Sequence, residues 1–128
     1  MASFNDTGYS TVVVTEEIPK SRRVTTAGTL AGFDEIDLGT TIARYAPEGQ
    51  GTINEPVATV SLSNKQGSQK ATADGPIAAG VIVYTAADGK ISETSVPGAF
   101  PRGISCEAAD ADNSVISIIP FLTGIPVA

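Results

Sequence analysis

The sequence contains no histidine and no tryptophan, and it has one cysteine, Cys106. Without histidine the common Ser-His-Asp catalytic arrangement cannot be built, and a single cysteine supplies neither a Cys/His zinc site nor an intramolecular disulfide. Cys106 as a nucleophile would need a neighbouring base, a role that histidine usually fills. We therefore predict that Cys106 is a small buried strand residue, and that the protein has no catalytic activity, no metal and no cofactor.

Basic residues are also scarce, since 8 Lys+Arg against 14 Asp+Glu give a formal net charge of -6. Nucleic-acid binding depends on basic patches that neutralise phosphates, so we expect no nucleic-acid partner. No apolar run approaches the ~18 residues that a membrane-spanning helix needs, so we expect no membrane partner. The first residues show neither the basic nor the apolar region of a signal peptide, which predicts synthesis in the cytoplasm.

Large aromatic side chains, which supply much of the buried area of small cores, make up only 5% of the sequence. A core of alanine, valine, isoleucine and threonine buries less area per residue, at about 25 cal/mol per Å². A chain of 128 residues is long enough for one domain. We therefore expect one domain whose stability is completed by association with other chains.

What the sequence does contain is a set of short strand patterns separated by turn signals. The clearest runs from Val81 to Val96, where four β-forming residues lead into Asp88-Gly89 and an alternating polar segment follows. Asp-Gly between two such runs is a strong hairpin signal, because a type I′ turn needs positive φ at both central residues. Similar spacing over residues 55–128 predicts an all-β fold, a small β-barrel or sandwich.

Residues 1–54 have sparser and less periodic apolar positions, so we predict an extended N-terminal arm. Val12, Val13 and Val14 form either an ordinary strand of the domain or a strand added to the edge of a partner's sheet. Lys20, Arg22 and Arg23 form a basic cluster, which is either a solvated turn or a contact with acidic groups on a partner or a sister subunit.

The arm also contains an acidic cluster, Asp34, Glu35 and Asp37. Carboxylates grouped in this way can serve acid/base chemistry or hold a cation. No supporting ligands follow the cluster in the sequence, so we interpret it as a solvated loop.

The order of motifs in the second half resembles a known family. The motifs are Val57-Ala-Thr-Val-Ser-Leu62, Ile77-Ala-Ala-Gly80 leading into Val81-Ile-Val-Tyr84, Gly103-Ile-Ser-Cys-Glu-Ala-Ala109 and Val115-Ile-Ser-Ile-Ile-Pro120. Together they resemble the small capsid decoration, or cement, proteins of tailed bacteriophages, over about half of the chain. Arg102 and Cys106 depart from the family pattern, which has a smaller residue and a leucine there.

The resemblance implies a structural virion protein that binds the outer surface of the phage head. Such a protein would be made in the host cytoplasm, associate as a homotrimer and stabilise the capsid by bridging subunits of the major capsid protein. Residues 1–54 would then contact the capsid and residues 55–128 would form the barrel and the oligomer. The alternative is a binding module of a head or tail fibre that recognises a host surface or a carbohydrate, although such sites usually use exposed aromatic side chains.

Overall fold

The computed structural model describes residues 9–47, 57–62, 67–121 and 125–128. Within these ranges the chain forms nine β-strands and one 3-10 turn, with no α-helix, so the all-β prediction is confirmed. The elements are β1 (Tyr9–Val13), β2 (Arg23–Val24), β3 (Gly39–Thr41), β4 (Val57–Leu62), β5 (Gln69–Asp74), β6 (Ile82–Thr85), the 3-10 turn (Ala87–Gly89), β7 (Ile91–Ser92), β8 (Pro101–Ser105) and β9 (Asp112–Pro120).

The second half of the chain forms the predicted barrel, closed in the strand order β5-β7-β6-β8-β9. Closure leaves no free sheet edge on this part of the molecule. The interior is filled by small and β-branched side chains, as the scarcity of aromatic residues predicts. The core cluster consists of Ala71, Ala73, Ile77, Val83, Ile91, Ala109, Ile116 and Ile118.

The hairpin predicted at Asp88-Gly89 is present between β6 and β7. Asp88 has φ 59 and Gly89 has φ 71, so both central residues have the left-handed backbone conformation of a type I′ turn. The Lys90 N–H donates to the Ala87 carbonyl at 3.2 Å, which closes the turn. The next pair outward is held by the Ala86 N–H, which donates to the Lys90 carbonyl at 2.9 Å.

The first half of the chain differs from the extended arm expected of residues 1–54. Its described strands form a four-stranded sheet in the order β1-β4-β3-β2, with a small core of Val14, Ile18 and Ala58. Strand β4, which the sequence assigns to the barrel, lies in this sheet between β1 and β3. Along the chain, the last strand of the sheet ends at Leu62 and the first strand of the barrel begins at Gln69. Residues 9–47 are therefore folded rather than extended.

One face of the sheet packs on the barrel. Strand pairing places Arg23 opposite Thr40, Thr40 opposite Ser61, and Ser61 opposite Tyr9, so these side chains lie in one row across the sheet. Barrel residues reach this side directly. The Gln69 side chain donates to the Ser61 carbonyl at 2.6 Å, and the Thr72 hydroxyl donates to the Ser21 carbonyl at 2.9 Å.

Candidate interaction surfaces

The three residues of the basic cluster differ in burial: Arg23 is buried, Arg22 is half-buried and Lys20 is exposed. Arg23 is 1% exposed and lies between the sheet and the barrel. Its Nη1 lies 3.4 Å from Asp37 Oδ1, and Arg102 Nε, from β8, lies 2.6 Å from the same oxygen. Asp37 is completely buried at its side chain, so it is not part of a solvated loop as the sequence suggested.

Arg23 uses its remaining donors on main-chain carbonyls. Its Nε donates to Lys90 at 3.0 Å, and its Nη2 donates to Ala86, Ala31 and Gly32. Burial lowers the pKa of Arg23, and the Asp37 carboxylate opposes that effect. Because its donors are engaged within the chain, Arg23 offers no contact to a capsid or a sister subunit in this structure. We correct that prediction for this residue.

Arg22 lies beside Arg23 and also binds the barrel. Its Nη1 donates to the Asp88 carbonyl at 3.1 Å, and its Nη2 donates to Asn113 Oδ1 at 3.3 Å. Arg22 and Arg23 therefore both donate hydrogen bonds to main-chain carbonyls of the hairpin turn. Their first role is to join the sheet to the barrel, and the half-buried Arg22 keeps part of its surface open to a partner.

Lys20 is the exposed member of the cluster, and it lies at a cavity between the sheet and the barrel. The volume of this cavity is about 200 Å³. That is below the ~300 Å³ at the lower end of small-molecule sites, so the cavity suits a side chain of a partner better than a cofactor. Its lining brings two lysines, Lys20 and Lys70, together with the hydroxyls of Ser21, Thr40 and Ser61.

The three valines at the start of the sheet form an ordinary strand and its end. Val14 is buried, Val12 packs against the small core that contains Val14, and Val13 is 59% exposed. Strand β1 pairs with β4 on one side, and among the described residues no strand pairs with its other side. At the Val13 end, however, Gly28 lies against the Val13 carbonyl and accepts a hydrogen bond from the Thr15 N–H at 3.0 Å. Strand addition at this edge stays a prediction, and Val13 is its exposed apolar side chain.

The structure also bears on the predictions for Cys106, for metal ligands and for membrane-spanning helices. Cys106 follows the end of β8 and is exposed, so the prediction of a buried strand residue is wrong. The described residues contain no group of three or more His, Cys, Asp or Glu side chains that could hold a metal ion. In the same part of the chain, no helix has the length and apolar character needed to cross a membrane.

Lys90, in the hairpin, forms an ion pair with Asp112 at 2.9 Å. The hydrogen bond from Lys90 lowers the pKa of the Asp112 carboxyl below its ordinary value. We predict that Lys90→Met raises the pKa of Asp112 back toward that value, as measured by NMR titration of the carboxyl carbon. An unchanged Asp112 titration would contradict the assignment of Lys90 as the cause.

The comparison with known proteins bears on the fold. No protein-family model matches the sequence, and no curated protein matches it. The structure is similar to that of the N base of the head fibre protein gp8.5 of bacteriophage phi29, with a TM-score of 0.67 and 15% sequence identity. The match covers 88% of this chain and 92% of that chain. The likeness is one of fold.

The extent of the match identifies which part of the fold is shared. The barrel strands occupy residues 69–120, less than half of the chain, so a match over 88% of it must include the first sheet as well. The sheet and the barrel therefore lie within one shared fold. This agrees with the close packing between them and not with a barrel that carries a separate arm.

Proposed function

We propose that the protein is a non-catalytic structural component of a bacteriophage virion that binds the outer surface of the head. The observation that carries this proposal is the shared fold with the N base of a phage head fibre over almost the full length of both chains. The resemblance of residues 57–120 to phage capsid decoration proteins supports the same class of function. Within that class, we propose that the protein stabilises the capsid by bridging subunits of the major capsid protein.

Stabilisation of this kind follows from linkage. A protein that binds the assembled lattice and not its separated subunits lowers the free energy of the assembled state. Each contact can be weak, because a symmetric lattice offers many equivalent positions and an associated protein occupies several at once. Neither step needs a catalytic residue.

We assign the capsid contact to the region around Lys20. This ammonium group is exposed on a chain of net charge -6, and it shares its cavity with Lys70. Acidic side chains on a capsid protein would be drawn to these two lysines and repelled by most of the remaining surface. Strand β1 lies at the edge of the sheet and would add main-chain hydrogen bonds over the part that Gly28 does not cover.

The second candidate is the base of a head fibre. The similar structure favours it, since that protein is the N base of a phage head fibre. A fibre base and a decoration protein would both bind the head, but a fibre base would also carry a further component away from the surface. The two candidates differ in what the protein holds on its outer side and in how many copies bind each head.

The test is binding of the purified protein to heads that lack it, followed by cryo-electron microscopy. We expect density on the outer surface between major capsid subunits and a rise in the temperature at which heads disrupt. Occupancy at every equivalent lattice position supports decoration, whereas density that extends outward from a subset of positions supports a fibre base. Binding to a glycan array without binding to heads would contradict both and favour host recognition.

A charge reversal tests the assigned surface. Lys20→Glu should weaken binding to heads by about tenfold or more, because it places a carboxylate against acidic groups. Arg44→Glu is the matched control, since it makes the same charge change at an exposed residue outside the cavity lining. Equal binding by both variants would show that the capsid contact lies elsewhere.

A further inference from the structure

A second cavity lies where the loop between β2 and β3 meets the barrel at the end of β5. Its volume is about 440 Å³, which falls within the ~300–1,000 Å³ range of ligand sites. Phe33 lines it from the sheet unit, and Asp74, Ser92 and Thr94 line it from the barrel. The described residues that line the cavity include no basic side chain, so its chemistry is opposite to that of the cavity at Lys20.

Hydrogen bonds hold the walls of this cavity in place. The Thr85 hydroxyl donates to the Phe33 carbonyl and accepts from the Phe100 N–H, so the loop that carries Phe33 is attached to the barrel. On the barrel side, Ser92 Oγ accepts a hydrogen bond from the Thr94 N–H at 3.1 Å. The cavity is therefore formed before a ligand arrives, which reduces the loss of entropy on binding.

Asp74 places a carboxylate in the cavity without a counterion of its own. It ends β5 opposite Asp112 of β9, and like charges at directly opposed positions destabilise a sheet. Lys90 pairs with Asp112 at 2.9 Å, whereas no basic side chain in the described part of the chain forms an ion pair with Asp74. A charge that does not favour folding is typical of a binding site.

Phe33 adds an aromatic side chain to this carboxylate. It is 40% exposed, and a Cβ at Gly98 would lie 3.7 Å from its Cε2, so the ring lies beside the loop that carries Val96. The face of an aromatic ring attracts cations. Arginine suits such a ring best, because its planar guanidinium can stack on the ring and also pair with a carboxylate.

We infer that this cavity receives an arginine side chain of a partner protein. The guanidinium pairs with the Asp74 carboxylate and stacks on Phe33, and its remaining N–H groups donate to the hydroxyls of Ser92 and Thr94. The apolar stem of the arginine packs against Val96, which is 43% exposed.

The surroundings of the cavity favour a cationic ligand over a neutral one such as a saccharide. Asp34, next to Phe33, and Glu93, next to Ser92, are both exposed, and the whole chain has a net charge of -6. A basic segment is drawn toward such a surface, whereas an uncharged ligand gains nothing from it.

This cavity and the cavity at Lys20 lie toward opposite ends of β5. Lys70 lines the Lys20 cavity and Asp74 lines the present one, and four residues of strand separate them by about 13 Å. The molecule can therefore hold an acidic partner and a basic partner at the same time. This inference goes beyond the proposed function and does not depend on head binding.

The test is a titration of the wild-type protein with the peptide acetyl-Gly-Arg-Gly-amide, followed by the NMR shifts of backbone amides. We expect shifts at Phe33, Asp74 and Thr94 at millimolar peptide, because an exposed ion pair and one cation–π contact are each weak. The same peptide with citrulline in place of arginine keeps the shape and removes the charge, and it should bind at least about fivefold more weakly. Equal binding of the two peptides, or shifts by a neutral disaccharide at these residues without shifts by the arginine peptide, would overturn the inference.

The matched variants are Asp74→Asn and Asp110→Asn, which remove the same charge inside and outside the cavity. Asp110 is exposed and does not line the cavity. Asp74→Asn should weaken binding of the arginine peptide by about fivefold, the effect of one exposed ion pair, and Asp110→Asn should leave it unchanged. Phe33→Leu should weaken it by about threefold through loss of the aromatic face. Wild-type affinity in Asp74→Asn would contradict the assigned site, and binding to heads, measured separately, bears only on the proposed function.

Discussion

Replacing Asp37 with asparagine is expected to lower the free energy of unfolding by about 3–5 kcal/mol, the range for breaking a buried ion pair. The carboxylate lies 2.6 Å from Arg102 Nε and 3.4 Å from Arg23 Nη1, and all three side chains are at most 2% exposed. Asparagine keeps the volume of the side chain but removes its charge. Two guanidinium groups would then remain buried near each other without the Asp37 carboxylate between them, and chemical denaturation would measure the cost.

The control for this variant is Asp34→Asn, which removes the same charge three residues earlier in the same loop. Asp34 is exposed, so its replacement should change stability by no more than about 0.5 kcal/mol. If Asp37→Asn were as mild as its control, the main-chain carbonyls around Arg23 would be sufficient to stabilise the two guanidinium groups. The salt bridges to Asp37 would then contribute little to stability.

Arg23, Asp37 and Arg102 lie at the junction between the sheet and the barrel, so their contacts should couple the unfolding of the two parts. Arg23 and Asp37 belong to the sheet unit, whereas Arg102 belongs to barrel strand β8. Separation of the two units would expose the same three charges at one junction while breaking the contacts of Arg22 and Arg23 with the hairpin. We therefore expect sheet and barrel to unfold in one transition, and Asp37→Asn to lower the stability of both.

Local sequence was sufficient to predict the features that depend on neighbouring residues. The Asp88-Gly89 turn needs only its own two residues to adopt positive φ, and it was predicted correctly. The short alternating strands of the barrel were predicted for the same reason. The sheet formed by β1, β4, β3 and β2 was not predicted, because β2 and β3 have only two and three residues and show no periodicity. Strand β4 was recognised as a strand, but its pattern does not say which sheet it joins.

The roles of the charged residues depend on partners that are distant in the sequence. Arg23 and Asp37 are 14 residues apart, and Arg102 lies 65 residues beyond Asp37. A basic cluster in an acidic chain therefore looked like a surface feature. The sequence contains one signal: Arg102 stands where the decoration proteins that the sequence resembles have a smaller residue. An arginine there is rarely buried without a partner, so it pointed to a buried carboxylate elsewhere in the chain.

The second large effect is expected at Gly89, where the hairpin turn touches the sheet unit. A Cβ at this position would lie 2.7 Å from the Arg23 carbonyl oxygen and 3.0 Å from the Arg23 nitrogen. The Gly89 N–H also donates to the Ala31 carbonyl at 2.8 Å, so the turn cannot move away without losing that bond. Gly89 has φ +71, which adds the cost of a left-handed backbone to the steric conflict. We expect Gly89→Ala to lower stability by about 2–4 kcal/mol.

Gly80→Ala separates these two costs. Gly80 has φ +77, close to that of Gly89, but a Cβ there would have nothing within 4 Å. Its replacement should therefore cost only the backbone term, about 1–2 kcal/mol. The excess at Gly89, measured by the same denaturation experiment, reports the close packing of the hairpin turn on Arg23. Equal losses at the two glycines would mean that the sheet unit shifts freely to accept the extra methyl group. That outcome would contradict a rigid junction between sheet and barrel, because the same arginine is held there by the Asp37 carboxylate and by the carbonyls of the turn.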